Sequence, residues 1–79
     1  MEINIYSKEN CPQCLEALHI AQQICQEDTH RYNKLMLNSD FSREELFEIF
    51  PTARTFPQVM IDGKAVGGLT DFVEYLQTI

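Results

Sequence analysis

The sequence predicts a small α/β domain with element order βαβαββα, a four-stranded mixed sheet flanked by three helices. Three observations predict it. Short β-branched stretches alternate with amphipathic ones through the first half of the chain. A hairpin signal, Asp62-Gly63, follows in the second half. The length of 79 residues holds one small core and excludes a second domain, so residues 1–79 are read as a single domain.

The first strand is Ile3 to Tyr6, and Ser7 to Asn10 is a polar loop. Pro12 suits the first turn of a helix, where its missing N–H is no loss and its φ is already helical. Leu15, Leu18, Ala21, Ile24 and Cys25 then recur at helical spacing, predicting an amphipathic helix to about Glu27 with those residues inward. Tyr32 to Leu37 mixes polar and apolar residues and reads as a strand at a sheet edge. Ser42-Arg43-Glu44-Glu45 fits a capping box, and Leu46, Ile49 and Phe50 form the stripe of a short helix that Pro51 stops. Gln58 to Ile61 is the third strand, and Asp62-Gly63 turns it into a fourth around Ala65-Val66. Gly67-Gly68 ends that strand. Thr70 is placed to cap a last helix in which Phe72, Val73, Leu76 and Ile79 share a face.

Composition narrows the function. A hydrophobic share of 44% and a charged share of 23% are those of a folded globular chain, which excludes wholesale disorder. No apolar run approaches the roughly 18 residues of a membrane span. Six basic against twelve acidic residues, a net charge of −6, argue against nucleic acid and anionic lipid as partners. A small anionic ligand remains compatible through a local patch drawn from Lys8, Lys34, Lys64, Arg31, Arg43 and Arg54. The first six residues lack the basic flank and apolar stretch of a secretory signal, so the expected location is the cytosol. Three cysteines are an odd count and too few for a disulfide-stapled secreted fold.

Two of them form Cys11-Pro12-Gln13-Cys14, immediately after a strand and at the start of a helix. Unpaired backbone N–H groups and the positive end of the helix dipole favour a thiolate at Cys11. Cys14, one turn on, lies within reach of that sulfur but deeper. Cys11 is therefore the attacking thiol and Cys14 the resolving one. A zinc site is the competing use of the pair, but it needs two further ligands from Cys25, His19 and His30. Cys25 lies eleven residues beyond Cys14, about 16 Å along a helix, too far to pair with it, and reads as a core residue. His19 and His30 show no catalytic partner.

Ile5-Tyr6-Ser7-Lys8-Glu9-Asn10-Cys11-Pro12-Gln13-Cys14, Thr55-Phe56-Pro57-Gln58-Val59-Met60-Ile61 and Val66-Gly67-Gly68-Leu69-Thr70-Asp71-Phe72 resemble, in order, three motifs of the glutaredoxin family. They are its opening strand with active-site loop, its Thr-Val-Pro segment, and its Gly-Gly motif leading into the last helix. The resemblance implies the thioredoxin fold, sheet order 2-1-3-4, and a glutathione-dependent thiol–disulfide oxidoreductase acting through Cys11 and Cys14. It implies no permanently bound cofactor and no metal, with glutathione as reductant. Partners would be glutathione and disulfide-containing proteins, ribonucleotide reductase among them, and the chain would act as a monomer.

Residue by residue, the resemblance makes Pro57 a cis-proline and gives Phe56 the backbone contact to the glutathione cysteinyl moiety. Thr55 and Gln13 line the same groove. Leu69, Thr70 and Asp71 hold the γ-glutamyl end, with Asp71 on the α-amino group. Lys8, joined by Arg43, lies near the glycyl carboxylate. Singly, each has a plainer explanation: a strand-edge proline, a turn, a helix cap, a solvated charge. Their joint order outweighs those explanations.

Gln13 stands where dithiol glutaredoxins usually carry tyrosine. In this it resembles a glutaredoxin-like electron donor to ribonucleotide reductase that thioredoxin reductase recharges. Gly67 to Asp71 instead follows the glutathione-binding pattern. A third alternative is a binding protein, a dimer bridged by an iron–sulfur cluster or zinc through Cys11.

Overall fold

The computed structural model describes residues 1–26 and 29–78. The elements are β1 (Glu2–Ser7), α1 (Pro12–Ile24), β2 (Arg31–Met36), α2 (Arg43–Ile49), β3 (Gln58–Ile61), β4 (Lys64–Gly67) and α3 (Leu69–Gln77). The sheet runs β2-β1-β3-β4, the order that the resemblance implies. β1 pairs in parallel with β2, from Glu2 opposite Arg31 to Ser7 opposite Met36. It pairs antiparallel with β3, from Ile3 opposite Ile61 to Tyr6 opposite Gln58. β2 thus lies at an edge, as its mixed composition predicts.

Alternation along β1 sends Ile3 and Ile5 to one face of the sheet and Tyr6 to the other. Ile3 and Ile5 are sealed among Ala17 and Ala21 of α1, Val59 and Ile61 of β3, and Phe72 of α3. Tyr6 packs on the opposite side with Phe41, Leu46, Phe50 and Phe56. Small residues at 17 and 21 let α1 approach the sheet closely. Between the two edge-side partners, Asn33 Nδ2 donates to Asn4 Oδ1 at 2.9 Å across the β1–β2 pair.

Local chemistry explains the boundaries. Ser42 caps α2: Glu45 N–H donates to Ser42 Oγ at 3.1 Å, and Ser42 N–H donates to Glu45 Oε1 at 3.1 Å. Asp62 and Gly63 both have positive φ, +51° and +80°, as a two-residue hairpin turn with right-handed strand twist requires. That turn is also tied to β1, because Glu2 N–H donates to Asp62 Oδ1 at 2.8 Å and Asp62 N–H donates to the Glu2 carbonyl at 2.9 Å.

Four expectations need correction. α1 ends at Ile24, with Cys25 as its C-cap, and not near Glu27, which lies outside the described residues. Leu15 does not face inward: it is 65% exposed, because the buried stripe of α1 runs through Cys14, Ala17 and Ala21 and Leu15 lies about 100° around the helix from Cys14. Val73 is also exposed, and Phe72, Leu76 and Tyr75 form the inner side of α3; Ile79 lies outside the described residues. Thr70 does not cap α3. Gly68 is the N-cap, and its N–H donates to Asp71 Oδ2 at 3.2 Å.

Candidate active site

The parallel β1–β2 pair delivers the chain through Ser7 into a loop whose last residue, Asn10, takes a left-handed φ of +55°. That turn sets Cys11 at the N-cap of α1 in an extended conformation, with Pro12 starting the helix. The Cys14 N–H donates to both the Cys11 carbonyl, at 3.1 Å, and the Cys11 Sγ, at 3.2 Å. The two cysteines are joined as a disulfide with Cα atoms 5.2 Å apart. Cys11 is partly exposed, whereas Cys14 retains only 4% of its surface. A donor aimed at one sulfur and burial of the other give the pair its asymmetry: upon reduction, negative charge is favoured on Cys11.

A second segment faces the sulfurs. Phe56-Pro57 is a cis peptide, and Pro57 is fully buried beneath the surface it shapes. Gln58 is buried too, and its Nε2 donates to the Thr55 carbonyl at 2.8 Å, fastening the segment that precedes the cis bond. Among the described residues neither the N–H nor the C=O of Phe56 has a hydrogen-bond partner within the fold, and Phe56 borders both clefts described below.

The third component is the start of α3. Gly67 has a φ of +124°, and a Cβ there would collide with the Asp71 carboxylate. Glycine is therefore required for Asp71 to fold back and cap Gly68.

These parts enclose two adjoining clefts. One, of about 490 Å³, joins Cys11 to Lys8, Gln13, Arg43, Thr55 and Phe56. The other, of about 460 Å³, joins Gln13, Thr55 and Phe56 to Gly68, Leu69, Thr70 and Asp71. All the groove residues expected from the sequence line one or both, except Pro57, which supports the wall from below. Lys8 Nζ lies 5.7 Å from the centre of the Phe56 ring, within cation–π range.

Sequence reasoning counted Arg54 among the cations available for an anion patch but gave it no place in the glutathione groove. It lies in both clefts, beside Thr55, and brings a third cation to the one holding Cys11. Its position directly before the Thr-Phe-Pro segment was the available signal.

The remaining candidates are elsewhere. His19 Nε2 contacts Gln23 Nε2 at 3.1 Å, and His30 Nδ1 contacts the Met1 amino group at 3.1 Å. Cys25 is a free thiol, half-buried against the aliphatic core, and burial pushes its pKa up while the nearby Met1 ammonium opposes that rise. Among the described residues no three His, Cys, Asp or Glu side chains assemble into a metal-holding group, and no helix is long and apolar enough to cross a membrane.

The chain is similar to known proteins over nearly its whole length. The family model described as glutaredoxin matches residues 3–66. Glutaredoxin 1 of Escherichia coli is 26% identical over 80 residues, covering 98% of this chain and 94% of that one. The solved structure of reduced E. coli glutaredoxin superposes with a TM-score of 0.87 at 25% identity, covering 99% and 95% of the two chains. A buckwheat glutaredoxin solved as a glutathione complex shares the fold, with a TM-score of 0.75 at 22% identity over 96% of this chain and 68% of that one. With the match running from β1 into β4, and the cysteine pair standing between β1 and α1 within it, this chain belongs to the glutaredoxin family of thiol–disulfide oxidoreductases, built on the thioredoxin fold.

Proposed function

We propose that the protein reduces protein disulfides and glutathione mixed disulfides through Cys11 and Cys14, and that glutathione recharges it. The observation that carries this reading is the partly exposed Cys11 sulfur opening onto a cleft with Lys8, Arg43 and Arg54, while Cys14 is buried behind it. Glutathione is an anionic, extended tripeptide. Lys8 and the two arginines suit its glycyl carboxylate, and the open N–H and C=O of Phe56 suit its cysteinyl backbone. The capped start of α3, with the Asp71 carboxylate, suits the γ-glutamyl end. A buckwheat glutaredoxin of the same fold has been solved as a glutathione complex, which supports glutathione as the ligand class.

The reaction proceeds by two exchanges. The Cys11 thiolate attacks one sulfur of the substrate disulfide, forming a mixed disulfide and releasing the other sulfur as a thiolate. The Cys14 thiolate then attacks the Cys11 sulfur, closes the intramolecular disulfide and releases the second thiolate. Two electrons pass from the dithiol to the substrate, and the two thiol protons end on the released thiols. Two glutathione thiols reverse the change and leave as glutathione disulfide.

Gln13 favours a second reading, since it lies where the two clefts meet and supplies no aromatic wall there. In that reading thioredoxin reductase supplies the electrons, and ribonucleotide reductase is the recipient. A coupled assay with each reductase separates the two: turnover with glutathione and glutathione reductase supports the first, and turnover with thioredoxin reductase alone supports the second. In the first case Cys11→Ser abolishes activity, whereas Cys14→Ser retains reduction of glutathione mixed disulfides. Lys8→Ala raises the KM for a glutathionylated substrate about threefold, less so at high salt. Equal alkylation rates at Cys11 and Cys14 near pH 6 would remove the nucleophile assignment.

A further inference from the structure

A third cleft, of about 280 Å³, opens on the β2 side of the disulfide, away from the groove between Phe56 and α3. Its character differs. Leu15, Leu18 and Met36 supply an apolar lining, and both Cys11 and Cys14 border it, whereas the groove-side cleft holds Cys11 alone. Among the described residues Leu15 is the most exposed large hydrophobic side chain, at 65%. Lys8 and Lys34 rim the opening against a single carboxylate, Glu9, in a chain whose net charge is −6.

Glutathione has no apolar side chain to place on Leu15 and Met36. A protein substrate does. We infer that this cleft seats the polypeptide of a protein disulfide: a segment carrying a large aliphatic or aromatic side chain close to its cysteine, with an acidic residue beside it. Complementarity of charge and the position against both sulfurs select that occupant. The apolar side chain covers Leu15 while the neighbouring carboxylate meets Lys34. Protein substrate and glutathione then approach Cys11 from opposite sides, so substrate preference can change without changing the glutathione groove.

The inference rests on the thiol–disulfide reading, and its test keeps the two apart. The intact protein is pre-reduced and freed of reductant, and the rate at which its dithiol is oxidised is followed in single turnover. This removes the question of electron source. The oxidants are two cyclic disulfide peptides of equal ring size, one with Leu and Glu next to a cysteine and one with Ser and Gln there, and hydroxyethyl disulfide as a small control. In each peptide reaction the Cys11 thiolate displaces one peptide thiolate, and Cys14 displaces the other, so the peptide gains the two electrons that the dithiol loses.

The expected result is a preference of about fivefold or more for the Leu-Glu peptide, from burial of its apolar side chain. Leu15→Ser, a surface change that the fold tolerates, should remove most of that preference. Lys34→Glu should reduce it about two- to fivefold and reverse its salt dependence, because salt then screens a repulsion where it had screened an attraction. Neither variant should alter oxidation by hydroxyethyl disulfide. If the wild type oxidises at equal rates with both peptides, or if both variants keep the wild-type preference, the cleft is not a substrate seat. If hydroxyethyl disulfide and both peptides leave the dithiol untouched, the thiol–disulfide reading fails and the inference falls with it.

Discussion

Ile3, Ile5, Ala17, Ala21, Val59, Ile61 and Phe72 form one buried cluster, aliphatic but for a single ring, with at most 1% of any residue exposed. On the opposite side of the sheet Tyr6, Cys14, Phe41, Leu46, Phe50 and Phe56 form another, mostly aromatic, with exposures of 3–9%. Its rings meet at angles: Tyr6 and Phe41 centres are 5.0 Å apart at 73°, and Tyr6 and Phe50 centres 5.5 Å apart at 71°. Only the second cluster contains a redox cysteine, and Cys11 packs against its edge. The division separates tasks. The most complete burial lies where no chemistry occurs, while the residues around the sulfurs form a mostly aromatic wall with partly exposed Cys11 at its rim.

The largest expected effect lies in the aliphatic cluster. Phe72→Ala should lower unfolding free energy by about 3–5 kcal/mol in urea, through lost burial and a cavity. At low urea the Cys11-to-Cys14 alkylation ratio should stay at its wild-type value, and a changed ratio would break the separation. Phe41→Leu should be milder, about 1–2 kcal/mol, since two ring contacts go but much apolar volume stays. Here, however, Cys14 should alkylate faster, because this cluster is what covers it.

The smallest effect is one of pH. Burial, and secondarily the charge of Glu45, raises the Tyr6 pKa above its ordinary value of 10.0. The folded state thus favours the neutral phenol. Its contribution to stability is full below pH 10, and is lost as pH rises from there through the folded value. In a Cys25→Ser background, which removes a second raised group, the urea midpoint should fall as pH rises above about 10, and Tyr6→Phe should flatten the decline. An equal decline in both proteins would mean that the aromatic cluster admits water at Tyr6.

Features governed by neighbours in sequence were legible without the structure. The capping box at Ser42, the hairpin at Asp62-Gly63 and the Cys11–Cys14 spacing each need only residues within a turn of one another. What required the fold was whether a given apolar residue has a neighbour above it. Periodicity marks Leu15 and Val73 as apolar, but the buried stripe of α1 follows Cys14, Ala17 and Ala21, and α3 buries Phe72, so both fall beside the inward faces. The cap of α3 moved from Thr70 to Gly68 because the Asp71 carboxylate reaches back, which the positive φ of Gly67 permits. In the site, Arg54 joins Arg43 from a loop far along the chain, and only its place directly before the Thr-Phe-Pro segment hints at that meeting.

The position of β1 bears on how the chain is made. It is first in chain order yet central in the sheet, bonded on one side to β2 and on the other to β3, which begins only at Gln58. A chain emerging from synthesis can join β1 to β2 early, but its other edge waits for Gln58–Ile61. The side of the sheet bearing Ile3 and Ile5 waits longer still, for Phe72. Every partial chain ending before Gln58 therefore presents an open edge of β1 beside isoleucines that Val59, Ile61 and Phe72 do not yet cover, the combination that pairs with other chains. Completion must be a whole-chain event, so a fragment ending before β3 is expected to aggregate and not to form a smaller version of the domain.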